Sequence, residues 1–206
     1  MRLLVIGGAG KTGSRLVEQA LGHGHDVVAF VHNKTPQIES PRLTVVSGDA
    51  RNFDDVLGAM TGVTGVAICV GSVGGPGMHE EATANAIHAM ATTGATRLVK
   101  LSAAGAFNRN SPFISAAYRC LIATTRKWAY DDLEAAERRI MASDLDWTIV
   151  RPSGMTLDPP TGHYRVSMDG SITRKMGRIS RADVAALMLK ALETDTYLRK
   201  AVVVSQ

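Results

Sequence analysis

Apolar residues in this chain gather in short unbroken runs rather than in alternation. Leu3-Leu4-Val5-Ile6 is the first, and similar aliphatic and β-branched runs recur at regular distances. Such runs fit strands buried on both faces, as in a parallel sheet covered by helices. They predict strands at Arg2–Ile6, Asp26–Val31, Leu43–Ser47, Gly65–Val70, Arg97–Leu101 and Trp147–Val150. The segments between them predict helices at Thr12–Leu21, Asp54–Met60, His79–Thr93, Asp131–Ser143 and Arg181–Leu192. Ser180 with Asp183 three residues on reads as a capping box for the last helix. Ala201–Val204 is expected as an edge strand, and Tyr164–Met168 as a strand within the wall of the cleft. The beat of strand and helix implies one α/β domain over residues 1–206, a doubly wound parallel sheet with helices on both faces. Gly71–Gly77 and Ala103–Thr125 read as loops at carboxyl ends of strands, where ligands bind in such sheets. Residues 152–177, rich in Pro, Gly and Thr, are expected to form the substrate-side wall of the cleft.

The first strand leads straight into Gly7-Gly8-Ala9-Gly10-Lys11-Thr12-Gly13. A glycine-rich turn between a buried strand and a helix brings backbone N–H groups close to a diphosphate, and the helix N-terminus adds partial positive charge. Gly10-Lys11-Thr12 also looks like the end of a P-loop. That loop needs glycine five residues before Gly10, where Val5 sits inside the strand. The spacing G-x-x-G-x-x-G, placed after the first strand, points instead to a Rossmann-like dinucleotide site.

The end of the second strand separates the two nicotinamide cofactors. A site for NAD(H) places Asp or Glu there to bind the ribose hydroxyls. This chain has Val31-His32-Asn33-Lys34, and Asp26 lies at the other end of the strand. Lys34 and His32 suit a 2′-phosphate, with Lys11 as a further cation, so NADP(H) is preferred over NAD(H). Asp49 after the third strand reads either as a hydrogen-bond partner of an adenine amino group or as a turn aspartate. Gly71-Ser72 would let ribose and phosphates lie against bare backbone.

Composition narrows the remaining classes. At 206 residues and 45% apolar content the chain suits one core. No run approaches the roughly 18–20 apolar residues that span a bilayer, and the early first strand leaves no room for a secretory signal. Two cysteines, Cys69 and Cys120, make no disulfide framework, so a cytoplasmic setting is expected. The net charge is +4, yet the only dense basic group, Arg174–Arg181, lacks interleaved aromatics and reads as solvated surface rather than a nucleic-acid site.

Other constellations fail on spacing. H-E-x-x-H would need histidine at Thr83 to follow His79-Glu80, and His23-Gly24-His25 reads as a surface turn rather than a metal pair. No G-x-S-x-G elbow occurs. Asp131-Asp132 is expected to favour a helix N-terminus, and Trp128 and Trp147 are expected to pack in core or loop.

Gly7–Gly13, Gly48-Asp49, Leu101-Ser102-Ala103, Asp146–Pro152 and the stretch Thr161–Gly170 followed by Arg178–Asp183 together resemble a known family. It is the atypical short-chain dehydrogenase/reductases with a compact NAD(P)H-binding domain, and within them the biliverdin-IXβ reductase/flavin reductase group. The resemblance runs over essentially the whole chain. It implies NADPH-dependent hydride transfer to a free flavin, with quinones and bilins as other planar acceptors, the flavin being substrate rather than prosthetic group. It implies that Gly7, Ala9, Gly10, Lys11 and Thr12 line the diphosphate. His32, Asn33 and Lys34 would face the adenosine phosphate, and Asp49 and Ala50 the adenine. Gly71 and Ser72 would lie beside the middle of the cofactor, Ser102 beside the nicotinamide, and Pro152 and Ser153 over its amide. A monomer or weak homo-oligomer is expected.

Two positions depart from that group. An arginine of the group at the end of strand two is His32 here, and a histidine after the sixth strand is Gly154. The Tyr-x-x-x-Lys pair of the wider superfamily is also missing, because Tyr118 is followed by Ile122 and Tyr130 by Glu134. Flavin reduction does not need that pair, since stacked rings can pass a hydride and the reduced product can take its proton from solvent. Ser102 would position the nicotinamide or bond the backbone of its own turn. The same absences fit an alternative, a non-catalytic NAD(P)-binding redox sensor. Isomerase or lyase chemistry on a nucleotide sugar is a third reading, disfavoured by the missing tyrosine.

Overall fold

The computed structural model describes residues 1–71, 75–124, 126–172 and 176–206, with the backbone alone at 117, 118 and 121. Eight strands form one sheet: β1 (Arg2–Ile6), β2 (Asp26–Val31), β3 (Leu43–Ser47), β4 (Gly65–Ile68), β5 (Arg97–Leu101), β6 (Asp146–Pro152), β8 (Arg165–Ser167) and β10 (Lys200–Ser205). Their order is β3-β2-β1-β4-β5-β6-β10-β8. All neighbours are parallel except β8, which runs antiparallel to β10. Two short strands, β7 (Met155–Thr156) and β9 (Ile179–Ser180), pair separately. The helices are α1 (Gly13–Gly22), α2 (Phe53–Gly58), α3 (Met78–Thr93), α4 (Ala116–Thr124), α5 (Lys127–Met141) and α6 (Arg181–Glu193).

Side-chain alternation along each strand divides the core. Leu3, Val5, Val27, Ala29, Val99 and Val202 meet Leu16 and Val17 of α1 and Val184, Leu187 and Met188 of α6. Leu4, Ile6, Val28, Phe30, Val66 and Leu98 meet Val56 of α2, Ala82, Ala86 and Met90 of α3 and Ile140 of α5. Unbroken apolar runs are therefore what a period of two demands when both faces are covered. Among the described residues no helix is long and apolar enough to cross a membrane.

Several expectations are corrected. The last strand is not an edge: β10 lies between β6 and β8, with Val202 and Val204 fully buried. The strand within residues 152–177 joins the main sheet as its edge, in register Val203↔Ser167. The expected loop Ala103–Thr125 holds α4. Helix α5 begins a turn before Asp131, because Ala129 and Tyr130 are already buried on its inner face.

The Ser180 cap is present, with the Asp183 amide donating to Oγ at 3.0 Å. The Asp183 carboxylate also takes the Thr161 and Gly162 amides, at 3.0 and 2.9 Å. It thereby ties the 161–162 turn to α6.

Candidate functional site

The sheet order reverses between β1 and β4, and the carboxyl ends of those strands open a crevice of the kind that holds ligands. The glycine turn sits at that point. Gly7 has φ +85°, and its carbonyl oxygen would lie 2.2 Å from a Cβ at Gly13, so any side chain there would displace the turn. The Gly7 and Gly8 amides donate to Phe30 O at 2.9 and 3.1 Å, anchoring the turn to β2. Among the described residues, no backbone acceptor takes the amides of Ala9, Lys11, Thr12 or Gly13.

Helix α1 opens differently from α2 and α6. Asn52 and Ser180 cap those helices, each with an acidic residue in the first turn. Thr12 caps nothing with its side chain, and the first turn of α1 holds no acid. Its hydroxyl faces Met155 Sδ at 3.9 Å instead. Free amides and an uncompensated helix dipole suit this end to an anion, and the bare backbone of the turn leaves it room.

Beside the glycine turn a groove of about 640 Å³ runs to residues 34–38. Ala9, Ser14, Arg15, Glu18 and Lys34 line it. His32, Asn33 and Lys34 are all exposed at the end of β2. Arg15 was not found by motif reading, because a basic residue in a first helical turn carries no spacing signal of its own. It also pairs with Glu18 at 3.2 Å. Lys11 does not line this groove and turns to a separate cavity beside Met155.

Asp49 is engaged by Arg51, which donates its amide (2.9 Å), Nε (3.2 Å) and Nη2 (3.0 Å). Those bonds, with His32 nearby, hold its carboxyl below the usual range. The turn-aspartate reading thus has its structural basis. Ala50 is buried, and its carbonyl accepts from Asn85 Nδ2 at 3.1 Å. Gly71 is exposed, and Ser72 lies outside the described residues.

Ser102 follows β5 and is buried. Its hydroxyl donates to Oε1 of Glu137, a fully buried carboxylate held also by Arg151 Nε and Nη2, at 3.1 and 2.5 Å from Oε2. The one proton of Ser102 is therefore committed to the core, and its oxygen can only accept from a ligand. Beneath it, Lys100 Nζ donates to Leu101 O at 2.8 Å and lies 3.2 Å from His79 Nδ1. Burial pulls the Lys100 amine down to about 8, opposed by the charges of Glu137, Cys69 and Asp132. Burial and the Lys100 charge push His79 down to about 2, so it is the neutral acceptor of that contact. Sequence patterns missed Glu137 and Arg151, because their contact joins a helix and a strand through the fold.

Pro152 ends β6, and its carbonyl accepts from Ala104 N at 2.9 Å. Ser153 donates through Oγ to Gly177 O at 2.6 Å. At Gly154 an arginine takes up the open space: Arg178 Cγ lies 3.5 Å from where a Cβ would be, and its Nη2 donates to Met155 O at 3.3 Å.

The remaining candidates lie elsewhere. His23 and His25 do come together, each bonded to Glu193 Oε1 at 2.9 and 2.8 Å, a cluster able to hold a metal ion at the far end of α1. Asp132 caps α3 rather than its own helix, accepting from the His79 and Glu80 amides at 2.9 and 2.8 Å. Trp147 is buried, while Trp128 is exposed. Both cysteines are free thiols, and burial pushes Cys69 up to about 12.

Known proteins resemble this chain. A family model described as NAD(P)H-binding matches residues 7–195. An uncharacterized chloroplastic protein of Arabidopsis thaliana is 30% identical over 211 residues, which cover 93% of this chain and 71% of that protein. A short-chain dehydrogenase/reductase from Veillonella parvula, solved in complex with NADP, superposes with TM-score 0.83 at 19% identity, over 100% of this chain and 94% of that one. ChuY, an anaerobillin reductase from Escherichia coli, gives a TM-score of 0.78 at 22% identity, over 100% and 97%. The solved structures share the fold, and the matched family span takes in the glycine turn, the Ser102 segment and the Arg178–Asp183 stretch. With that span covering most of its length, the chain belongs to the NAD(P)H-binding family.

Proposed function

We propose that this chain is an NADPH-dependent reductase that passes a hydride to a planar conjugated acceptor, a free flavin first among them. The observation that carries the proposal is the uncapped start of α1, where four backbone amides lack backbone acceptors around a turn that a side chain at Gly13 would displace. Such a cradle suits a dinucleotide diphosphate, in keeping with the family. Gly7, Ala9, Gly10, Lys11 and Thr12 would hold it, with Gly71 and Ser72 beside its middle. The groove with Arg15 and Lys34, which Glu18 also lines, and the exposed His32 and Asn33 next to Lys34 support a 2′-phosphate, and so NADP(H) over NAD(H). Asp49 and Ala50 would border the adenine, the Asp49 carboxylate remaining on Arg51.

Bound NADPH supplies the hydride. Ser102, aimed by Glu137, would accept a hydrogen bond from the nicotinamide amide, with Pro152 and Ser153 closing over it. Residues 152–177 would border the acceptor. No group described here donates a proton at Ser102, so the reduced acceptor would take its proton from water, which a flavin permits. The reading includes a cytoplasmic, monomeric or weakly associating protein.

The committed Ser102 proton and missing Tyr-x-x-x-Lys also favour one rival, a non-catalytic redox sensor. Mixing the protein with NADPH and excess FMN, riboflavin, a quinone or a bilin, and following loss of reduced-nicotinamide absorbance, separates the two. We expect saturable turnover above the uncatalysed rate with at least one flavin. Ser102→Ala should lower kcat by about fivefold to tenfold, the worth of one hydrogen bond, with NADPH affinity little changed. Tight NADPH binding without acceleration for any acceptor would leave the sensor.

A further inference from the structure

Helix α6 has its Ser180 cap and Asp183 in the first turn, yet it opens on a cation whose guanidinium is incompletely paired. Arg181 is its first residue, at the positive end of the helix dipole. Its Nε and Nη1 are buried and have no hydrogen-bond partner. Burial, and after it the charge of Arg178, lower its affinity for its own proton. A guanidinium left in this state is costly unless something outside the chain completes it.

Arg181, Arg178 and Lys11 converge on one cavity of about 390 Å³, floored by Met155–Asp158. Asp158 is the single carboxylate among these residues, so the lining is net positive. The cavity is built rather than incidental: β7 and β9 pair Met155↔Ile179 and Thr156↔Ser180, and Ile179 N donates to Gly154 O at 3.0 Å. Lys11 joins it to the glycine turn, with Thr12 Oγ1 3.9 Å from Sδ of the floor residue Met155, and the groove with Arg15 and Lys34 is separate.

We propose that this cavity binds an anionic group, phosphate or carboxylate, carried by the acceptor, so that the protein selects planar acceptors with an acidic tail. The inference rests on the reductase reading for the identity of the ligand's carrier. Arg178 and Arg181 bind the anion from the strand–helix junction, and Lys11 approaches from the glycine turn. An anion there also gives the buried Nε and Nη1 of Arg181 a partner.

The test uses acceptor pairs that differ in charge alone. FMN against riboflavin probes a phosphate, and a linear tetrapyrrole against its dimethyl ester probes carboxylates. Equilibrium binding to the NADP⁺-loaded protein is read by flavin or bilin spectroscopy, and NADPH affinity is measured in parallel. We expect the charged member of at least one pair to bind about tenfold more tightly, about 1.4 kcal/mol. Arg178→Gln and Arg181→Gln should each collapse that ratio towards one, and Arg181→Lys should retain part of it. Arg178 is exposed, so its variant keeps the test usable if Arg181→Gln fails to fold.

Equal binding within both pairs overturns the proposal. So does a loss of NADPH affinity in the variants with the ratios unchanged, which would give the cavity to the cofactor. Because binding is the readout, a charge-dependent ratio without turnover would retire the reductase reading and keep the anion site.

Discussion

At Ser102, Lys100 and His79, single residues show how burial sets chemistry that a sequence cannot display. His79 has an ordinary value of 6.5 and is pushed down to about 2. Between those pH values the unfolded chain binds a proton that the folded chain refuses. Its contribution to stability is therefore full above pH 6.5 and is lost as pH falls, with a slope of about 1.4 kcal/mol per pH unit for one proton. Lys100, lowered from 10.5 to about 8, weakens the fold below about pH 8 and ceases to do so as pH rises towards 10.5. Cys69, raised from 9.0 to about 12, acts in the opposite sense above pH 9. The alkaline effects offset each other, and the acid limb is the clean readout. Denaturant titrations from pH 7 to 4 should show His79→Gln losing stability less steeply than the parent; parallel curves would contradict the assignment. Sequence reading placed Ser102 at the end of its strand, but not the Glu137 carboxylate that fixes its proton. That partner sits 35 positions away and is reached only through packing.

At the scale of elements, the strands were the most legible part. β1, β2, β3 and β5 have the bounds their apolar runs predict; β1, β2 and β5 are largely buried, whereas β3 is an edge strand whose residues are half-buried or exposed. Helices near the cleft were less so. Asp131-Asp132 looked like the acidic first turn of a helix, yet α5 is already under way there, and Asp132 serves α3 across the interface. Gly77, the N-cap of α3, has no side chain to offer, and the cap is supplied in trans by another helix. Asp132→Ala should cost about 1–2 kcal/mol in equilibrium unfolding, with Asp132→Asn milder because an amide oxygen can still accept. A loss no larger for Ala than for Asn would show that the cap contributes little.

Over the whole molecule, the proposed ligand surfaces lie along the carboxyl ends of the strands, and the buried polar cluster lies beneath them, between β5, α3 and α5. Binding at the glycine turn should therefore register in global stability. At about 100 times its Kd, NADPH should stabilise the fold by about 2.7 kcal/mol, a rise in Tm of about 5–10 °C for a chain of this size. Thermal unfolding followed by fluorescence should show a smaller rise with NADH at the same concentration. Equal rises would remove the argument for a 2′-phosphate from Arg15 and Lys34, and no rise with either would count against the cradle itself.

The sequence alone determined the wound sheet, the glycine turn and the lack of a carboxylate at the end of the second strand. These are local matters, decided by run length, spacing and residue type. Only the tertiary structure decided that β10 is interior, that Glu137 and Arg151 hold the Ser102 proton, and that Lys11, Arg178 and Arg181 share a cavity. Those arrangements join residues far apart in the chain, and no local pattern encodes a contact whose energy comes from burying two distant groups together.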